Sequence, residues 1–261
     1  MPAPASIDAL TALTEWWEEM GVEVDEASMT AYLKAAEHDL AAAAPASATT
    51  GRRPKRHEID WVEAAKAAAA GCDSVEALKA AVEAFDGSPL KPASENTVVY
   101  DGVPGASLMV IGEGPGAEED RRGLPFVGKA GQLLDKMLEA IGRSRTDNAF
   151  ISNVNYWRPP GNRNPEEEEL AVCRPFVDRL VELAKPKLII AAGGVPAKAL
   201  LETTDGIMRL RGTEHVFTTA GGYSVPLIPI LHPAYLLRRP QDKSRAWRDL
   251  LLVEQRLGEL E

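Results

Sequence analysis

Hydrophobic positions in this chain follow two different patterns, which change near residue 96. Before that point apolar residues recur every three or four positions, as Leu10 and Trp17 do, which is typical of amphipathic helices. A small, polar, proline-containing stretch at residues 45–55 interrupts these patterns and has the composition of a linker. We therefore predict a helical, acidic N-terminal extension over residues 1–95, with a linker near 45–55.

After residue 96, short apolar runs alternate with longer helical patterns. This alternation is typical of a parallel sheet that helices cover on both faces. We therefore predict an α/β domain over residues 96–261, a three-layer α/β/α fold with a four-stranded parallel sheet. The predicted strands are 107–111, 149–154, 187–192 and 225–231, and the predicted helices are 130–142, 165–184, 195–203 and 246–260.

The unusual polar and glycine residues of this domain follow the predicted strands. The first strand leads into GEGPG at residues 112–116, where the backbone can approach a ligand without intervening side chains. The second strand ends at Asn153 and the last one at His232. Because ligands of such sheets bind at the carboxyl ends of the strands, we expect these residues to form one site.

The same glycines allow a second interpretation. Gly112, Gly114 and Ala117 have the spacing of a degenerate dinucleotide-binding fingerprint. That fingerprint requires a helix that begins at the glycines and an acidic residue at the end of the next strand. Here Pro115 and the following loop delay the helix, and the next strand ends at Asn153. A dinucleotide-binding Rossmann-like enzyme is therefore the weaker alternative.

The loop after the last strand, LHPAYLLRRP, combines apolar side chains with cations. The proline holds the preceding His232 in an extended conformation. Its leucines suit a wedge pushed between bases, and its arginines suit the adjacent phosphates. The candidate DNA-binding residues are Pro233, Leu236, Arg238 and Arg239.

These segments together resemble the uracil-DNA glycosylase superfamily, most closely its family 4. Three collinear motifs within residues 96–261 carry the resemblance: GEGPGAEEDRRGLPFVGKAGQLL, ISNVNYWRPPGNRNP and LHPAYLLRRP. The resemblance implies an enzyme that hydrolyses the N-glycosidic bond of uracil in DNA and leaves an abasic site, the first step of base excision repair. Such an enzyme takes the target base out of the stack and into a pocket.

The resemblance also implies roles for Glu113, His232 and Leu236. Glu113 stands where an acidic residue serves to activate water. His232 would stabilise the negative charge that grows on uracil as the bond breaks. Leu236, four residues after the histidine, stands in the place of the leucine that inserts into DNA.

Four further residues are expected to bind the base. In the family, the backbone of the glycine turn, here Gly112 and Gly114, contacts uracil. Phe126 holds the aromatic position that stacks on the flipped base, and Asn153 matches the amide that pairs with its edge. Because an amide both donates and accepts hydrogen bonds, it can discriminate uracil from cytosine.

The cysteine content departs from the family pattern. Family 4 members usually hold an iron–sulfur cluster on four cysteines. This chain has two, Cys72 and Cys173, and Ser88 and Trp157 stand where the resemblance places cluster cysteines. We therefore expect no cofactor and no metal, with apolar packing around Trp157 in the place of the cluster.

A covalent branch of the superfamily traps uracil through an arginine-rich loop that contains histidine. The corresponding loop here, PPGNRNPEEEE, has no histidine. Hydrolysis with release is therefore favoured, and a protein that binds or traps uracil-DNA without turnover is the alternative.

Charge and composition are compatible with this function. The net charge is -10, but acidic and basic side chains balance over residues 106–261, so this domain can carry a basic face for DNA. No apolar run reaches the roughly 20 residues that span a membrane, and the N-terminus lacks the pattern of a signal peptide. With two cysteines, a reducing cytoplasm is expected. We expect a cytoplasmic monomer whose partner is uracil-containing DNA.

Overall fold

The computed structural model describes residues 60–261. The linker predicted near 45–55 and the helices predicted ahead of it lie outside these residues. In the described part, helices cover both faces of a mixed six-stranded sheet. The predicted α/β class is confirmed.

The sheet has two more strands than the four predicted from the sequence. The strands are β1 (Tyr100–Gly102), β2 (Leu108–Gly112), β3 (Ala149–Asn153), β4 (Leu188–Ala192), β5 (His215–Thr218) and β6 (Ser224–Ile230). Their order is β1-β3-β2-β4-β6-β5, and the four predicted strands are the parallel inner ones. The additional strands β1 and β5 are edge strands that pair antiparallel. They have no long buried run, which is why the hydrophobic pattern did not predict them.

Alternate residues of the inner strands pack on opposite faces of the sheet. On β2, Met109 and Ile111 join one hydrophobic core, whereas Leu108 and Val110 join the other. All five residues of this strand are buried. Because both faces are covered, the strand is a continuous apolar run, as expected for a buried parallel strand.

Nine α-helices lie within residues 60–261, and they form the outer layers. They are α1 (Trp61–Ala70), α2 (Val75–Ala84), α3 (Ala117–Arg122), α4 (Lys129–Glu139), α5 (Glu167–Ala184), α6 (Gly194–Leu201), α7 (Ile207–Leu210), α8 (Pro233–Arg238) and α9 (Lys243–Leu260). Helices α1, α2, α5 and α6 contribute to one core, and α4, α8 and α9 contribute to the other. None of the helices in this part of the chain is both long and apolar enough to cross a membrane.

Helices α1 and α2 belong to the stretch predicted as the N-terminal extension. Asp60 caps α1 by accepting from the Val62 and Glu63 amides, and Ser74 caps α2. The ring of Phe85, just after α2, contacts that of Phe176 on α5 at a centroid distance of 5.1 Å. This stretch therefore shares a core with the sheet, and the domain boundary at residue 96 stays a prediction.

Candidate active site

A cavity of about 500 Å³ opens at the carboxyl ends of β2, β3 and β6. Its lining comes from segments that are far apart in the sequence and meet at this edge of the sheet. Six of the predicted site residues line it: Glu113, Gly114, Phe126, Asn153, His232 and Arg238. The structure thus brings most of the predicted site together around a space larger than one nucleobase.

Gly112 lies between Phe126 and Asn153, two residues that line the cavity. It is paired with Asn153 in the parallel register of β2 and β3. A Cβ atom at this position would lie 2.4 Å from the Phe126 ring and 2.5 Å from Asn153 Oδ1. Gly112 therefore acts through its small size, because any side chain would push the aromatic ring and the amide apart.

Asn153 is a buried amide with an unused donor. The residue is 2% exposed, and its Nδ2 atom has no hydrogen-bond partner among the described residues. Leaving a buried donor unpaired costs about 1–3 kcal/mol. The end of β3 is held in place by the Val154 amide, which donates to the Gly112 carbonyl at 2.9 Å. A rigid, unpaired amide at the wall of a cavity is suited to bind a polar ligand.

His232 presents a neutral imidazole to the cavity. Its Nδ1 atom accepts from the Ala234 amide at 3.1 Å, so the ring proton of the neutral form lies on Nε2. Burial and, to a smaller extent, the nearby Arg238 cation lower the pKa of His232 to about 4, against the opposing effect of Glu119. At neutral pH the ring is therefore an uncharged donor.

Phe126 forms an aromatic wall beside this imidazole. The two rings are stacked, with centroids 5.8 Å apart and an angle of 30° between their planes. Phe126 has a backbone φ of 54°, in the left-handed region that bulky residues rarely adopt. Such a conformation costs about 1–3 kcal/mol and is kept only where the surroundings enforce it.

Glu113 supplies a carboxylate without a partner. Its side chain is partly buried and makes no hydrogen bond or ion pair with the described residues, and burial raises its pKa. The backbone is fixed, since the Asn155 amide donates to the Glu113 carbonyl at 3.1 Å. A carboxylate in this setting can accept a proton from water.

The predicted DNA-binding residues are split between surface and core. Arg238 and Arg239 are exposed, whereas Pro233 is buried as the first residue of α8. Leu236 is 1% exposed and packs in the core, so the structure does not present it as an inserting side chain. On the six-residue helix α8, Leu236 faces inward and the next residue, Leu237, is 43% exposed.

One cavity wall has no counterpart among the predicted site residues. It is the loop over residues 159–165, and its lining members are Pro159, Asn162, Arg163, Asn164 and Pro165. Arg163 donates to both carboxylate oxygens of the buried Glu169, at 2.9 and 2.6 Å. The motif PPGNRNP marked this segment in the sequence, but only the fold shows that it reaches the cavity.

The residues at the expected cluster positions do not fit an iron–sulfur cluster. Trp157 is fully buried, and its indole nitrogen donates to Thr97 Oγ1 at 3.0 Å. Cys173 contacts Asn155 Oδ1 at 3.6 Å, and burial raises the pKa of its thiol to about 12. Ser88 is 2% exposed. Within residues 60–261, no three His, Cys, Asp or Glu side chains are grouped to hold a metal ion.

Comparison with known proteins identifies relatives of this chain. Its relatives include the type-4 uracil-DNA glycosylases of Sulfurisphaera tokodaii, 37% identical over 64% of this chain and 78% of the relative, and of Pyrobaculum aerophilum, 39% identical over 64% and 86%. The type-4 uracil-DNA glycosylase of Thermotoga maritima is 41% identical over 60% of this chain and 80% of the relative. The sequence profile of the uracil DNA glycosylase superfamily matches residues 99–251. The chain therefore belongs to the uracil-DNA glycosylase superfamily.

Proposed function

We propose that this protein hydrolyses the N-glycosidic bond of uracil in DNA, releases uracil and leaves an abasic site for base excision repair. The relatives named above are type-4 uracil-DNA glycosylases. The observation that carries the proposal is the unpaired Asn153 amide beside the Phe126 ring in one cavity. A nucleobase taken out of the helix is recognised by its edge and its face. Asn153 binds the edge, and Phe126 binds the face.

The Asn153 amide reads the edge of the base. Its unpaired Nδ2 donates to uracil O4, while Oδ1 accepts from the uracil N3–H group. Cytosine presents an acceptor and a donor in the reverse order, so the same amide orientation leaves two mismatched pairs. Binding uracil also gives the buried donor the partner that it lacks in the free protein.

The Phe126 ring binds the face of the base. Its stacking with His232 orients the ring along the cavity wall. Stacking of a base on an aromatic side chain contributes about 1–3 kcal/mol and tolerates any base. Selectivity for uracil therefore comes from Asn153, and Phe126 supplies affinity and orientation.

Bond cleavage is dissociative. The electron pair of the bond between C1′ and N1 leaves with uracil, which becomes an anion, and the sugar becomes an oxocarbenium ion. The His232 Nε2–H group donates a hydrogen bond to the negative charge at uracil O2. Because its pKa is lowered to about 4, His232 does this as a neutral ring and keeps its proton.

Water completes the hydrolysis, with Glu113 as the general base. The water oxygen bonds to C1′, and its proton passes to the Glu113 carboxylate and from there to solvent or to the uracil anion. The partly buried carboxylate is free of ion pairs with the described residues, so it is available as a base. No step needs a metal ion or another cofactor, and the protein acts without an iron–sulfur cluster.

DNA is held by the exposed end of α8. Arg238 and Arg239 bind phosphates beside the extruded nucleotide. Leu237, exposed between the core and these arginines, inserts into the base stack at the place that the spacing after His232 predicts for Leu236. The enzyme works as a monomer on uracil-containing DNA.

A labelled oligonucleotide with a single uracil tests the proposal. Cleavage at the uracil position after alkali treatment indicates hydrolysis, and the same strand with thymine is the control. A stable shifted complex without alkali-labile sites would mean binding or trapping without turnover. If the protein neither cleaves nor binds the uracil strand, the proposed function is wrong.

A further inference from the structure

The strained turn that carries Phe126 is held by two side chains, Arg145 outside the cavity and Glu119 at its wall. Phe126 has a φ of 54° in the segment PFVG, and a non-glycine residue keeps that conformation only if its neighbours enforce it. The ring is also the face on which the flipped base stacks. The contacts that fix the turn therefore set the position of the base, which rests on the function proposed above.

Arg145 holds the carbonyl side of the turn. Its Nη1 donates to the Pro125 carbonyl at 3.0 Å, and its Nη2 donates to the Phe126 carbonyl at 2.7 Å. The guanidinium is itself fixed by Asp101 and Asp135, each at 2.8 Å. With its side chain 15% exposed and four oxygens bound, the group is a rigid support.

Glu119 holds the amide side of the same turn. Its Oε1 accepts from the Val127 amide at 3.0 Å and from the Gly128 amide at 2.8 Å. Its Oε2 accepts from the Gly116 amide at 3.2 Å. One carboxylate thus ties the Phe126 turn to the glycine turn that presents Glu113.

Helix α4 packs closely against the turn that carries Phe126. A Cβ atom on Gly131 would lie 1.7 Å from the Phe126 carbonyl oxygen, so this glycine permits the close approach. The Phe126 carbonyl is therefore confined between the helix backbone and the Arg145 guanidinium. The turn has little freedom to relax towards an ordinary φ.

We infer that Arg145 and Glu119 are positioning residues, which hold Phe126 in its left-handed conformation and thereby place the stacked uracil for attack. Arg145 does not line the cavity, so it acts through Phe126. Misplacing a reacting group by about 1 Å can cost on the order of 100-fold in rate. Losing the support should therefore slow the chemistry more than it weakens DNA binding.

The test combines Arg145→Gln with a matched control, Arg143→Gln. Arg143 is equally buried, with a side chain 16% exposed, and it also forms an ion pair, with Glu261, away from the cavity. We expect Arg145→Gln to lower kcat by about 10- to 100-fold with little change in KM for the uracil oligonucleotide. Arg143→Gln should leave both constants unchanged.

A double-mutant cycle with Phe126→Ala separates positioning from general damage to the fold. If Arg145 acts through the ring, Arg145→Gln adds no further loss of kcat once the ring is gone. An equal loss in both backgrounds would contradict the inference. Should Arg145→Gln fail to fold, Asp135→Ala, which removes one of the carboxylates that fix the guanidinium, takes its place in the same cycle with the same expectation.

The outcomes distinguish this inference from the proposed function. A parent that leaves uracil-DNA intact contradicts the proposed function, and the inference with it. A parent that cleaves, together with an Arg145→Gln variant of equal kcat, contradicts the inference alone.

Discussion

Two buried asparagines, two positions apart, differ in their hydrogen bonding. The Asn155 amide donates to the Trp157 carbonyl at 2.7 Å, whereas Asn153 Nδ2 has no partner in the part of the chain that the structure describes. The first contributes to stability, and the second is available for a ligand. Substituting each asparagine in turn therefore separates an effect on ligand binding from an effect on stability.

We expect Asn153→Ala to lower kcat/KM on uracil by about 100-fold or more, because a pocket that recognises a base by hydrogen bonds loses its selective contacts. The free energy of unfolding should change little, since the amide donor makes no bond in the free protein. Asn155→Ala is the control and should lower the free energy of unfolding by about 1–3 kcal/mol. Steady-state kinetics and urea denaturation measure the two effects. A strong loss of stability in Asn153→Ala would contradict this assignment.

Glu113 and His232 differ in how they respond to acid. Burial raises the pKa of Glu113 and lowers that of His232 to about 4. As the pH falls, Glu113 is protonated first and can no longer accept a proton from water, while His232 is still neutral. We therefore expect the acid limb of kcat against pH to report Glu113, with an apparent pKa above the ordinary value of a glutamate.

The variant Glu113→Gln tests this assignment of the acid limb. It should lower kcat at neutral pH by about 100-fold or more and remove the acid limb, because no carboxylate remains to titrate. An unchanged acid limb in Glu113→Gln would show that another group controls it.

The positions of site residues were predictable where a strand end fixes them. Glu113 and His232 follow buried strands and Asn153 ends one, so the parallel sheet places all three at one edge. The left-handed turn at Phe126 was not predictable from local sequence. It depends on Arg145, nineteen positions away in the sequence, which donates to the Phe126 carbonyl.

Helix α8 shows the limit of prediction at the scale of an element. The spacing after His232 pointed to Leu236 as the inserting side chain, but spacing alone does not tell which side of a six-residue helix faces the core. The packing buries Leu236 and exposes Leu237. In the same way, the short edge strands β1 and β5 lacked the buried run that predicted the inner strands.

The two leucines of α8 should respond differently to truncation. Leu236→Ala removes buried volume from the core and should lower the free energy of unfolding by about 2–5 kcal/mol. Leu237→Ala should leave stability almost unchanged and slow uracil release from duplex DNA more than from single strands, because a duplex base has to be displaced from its stack. Urea denaturation and single-turnover rates measure both. If Leu237→Ala and the parent cleave duplex DNA at equal rates, Leu237 does not insert into the base stack.

At the scale of the whole molecule, we expect aromatic packing to take the place of an iron–sulfur cluster. Trp157 is buried at one expected cluster position, and burial keeps Cys173 as a thiol at neutral pH by raising its pKa to about 12. The purified protein should therefore be colourless, without absorption near 400 nm, and should contain no stoichiometric iron. A brown protein with bound iron would contradict this expectation.

The most direct measurement is the rate of uracil release from a labelled oligonucleotide by the parent, His232→Ala and Glu113→Ala. We expect the parent to produce alkali-labile sites at uracil and not at thymine. Removing the imidazole donor should slow release by about 100- to 1000-fold, and removing the carboxylate by about 100-fold or more. Full activity in both variants, or a parent that leaves uracil in place, would contradict the proposal that this cavity excises uracil.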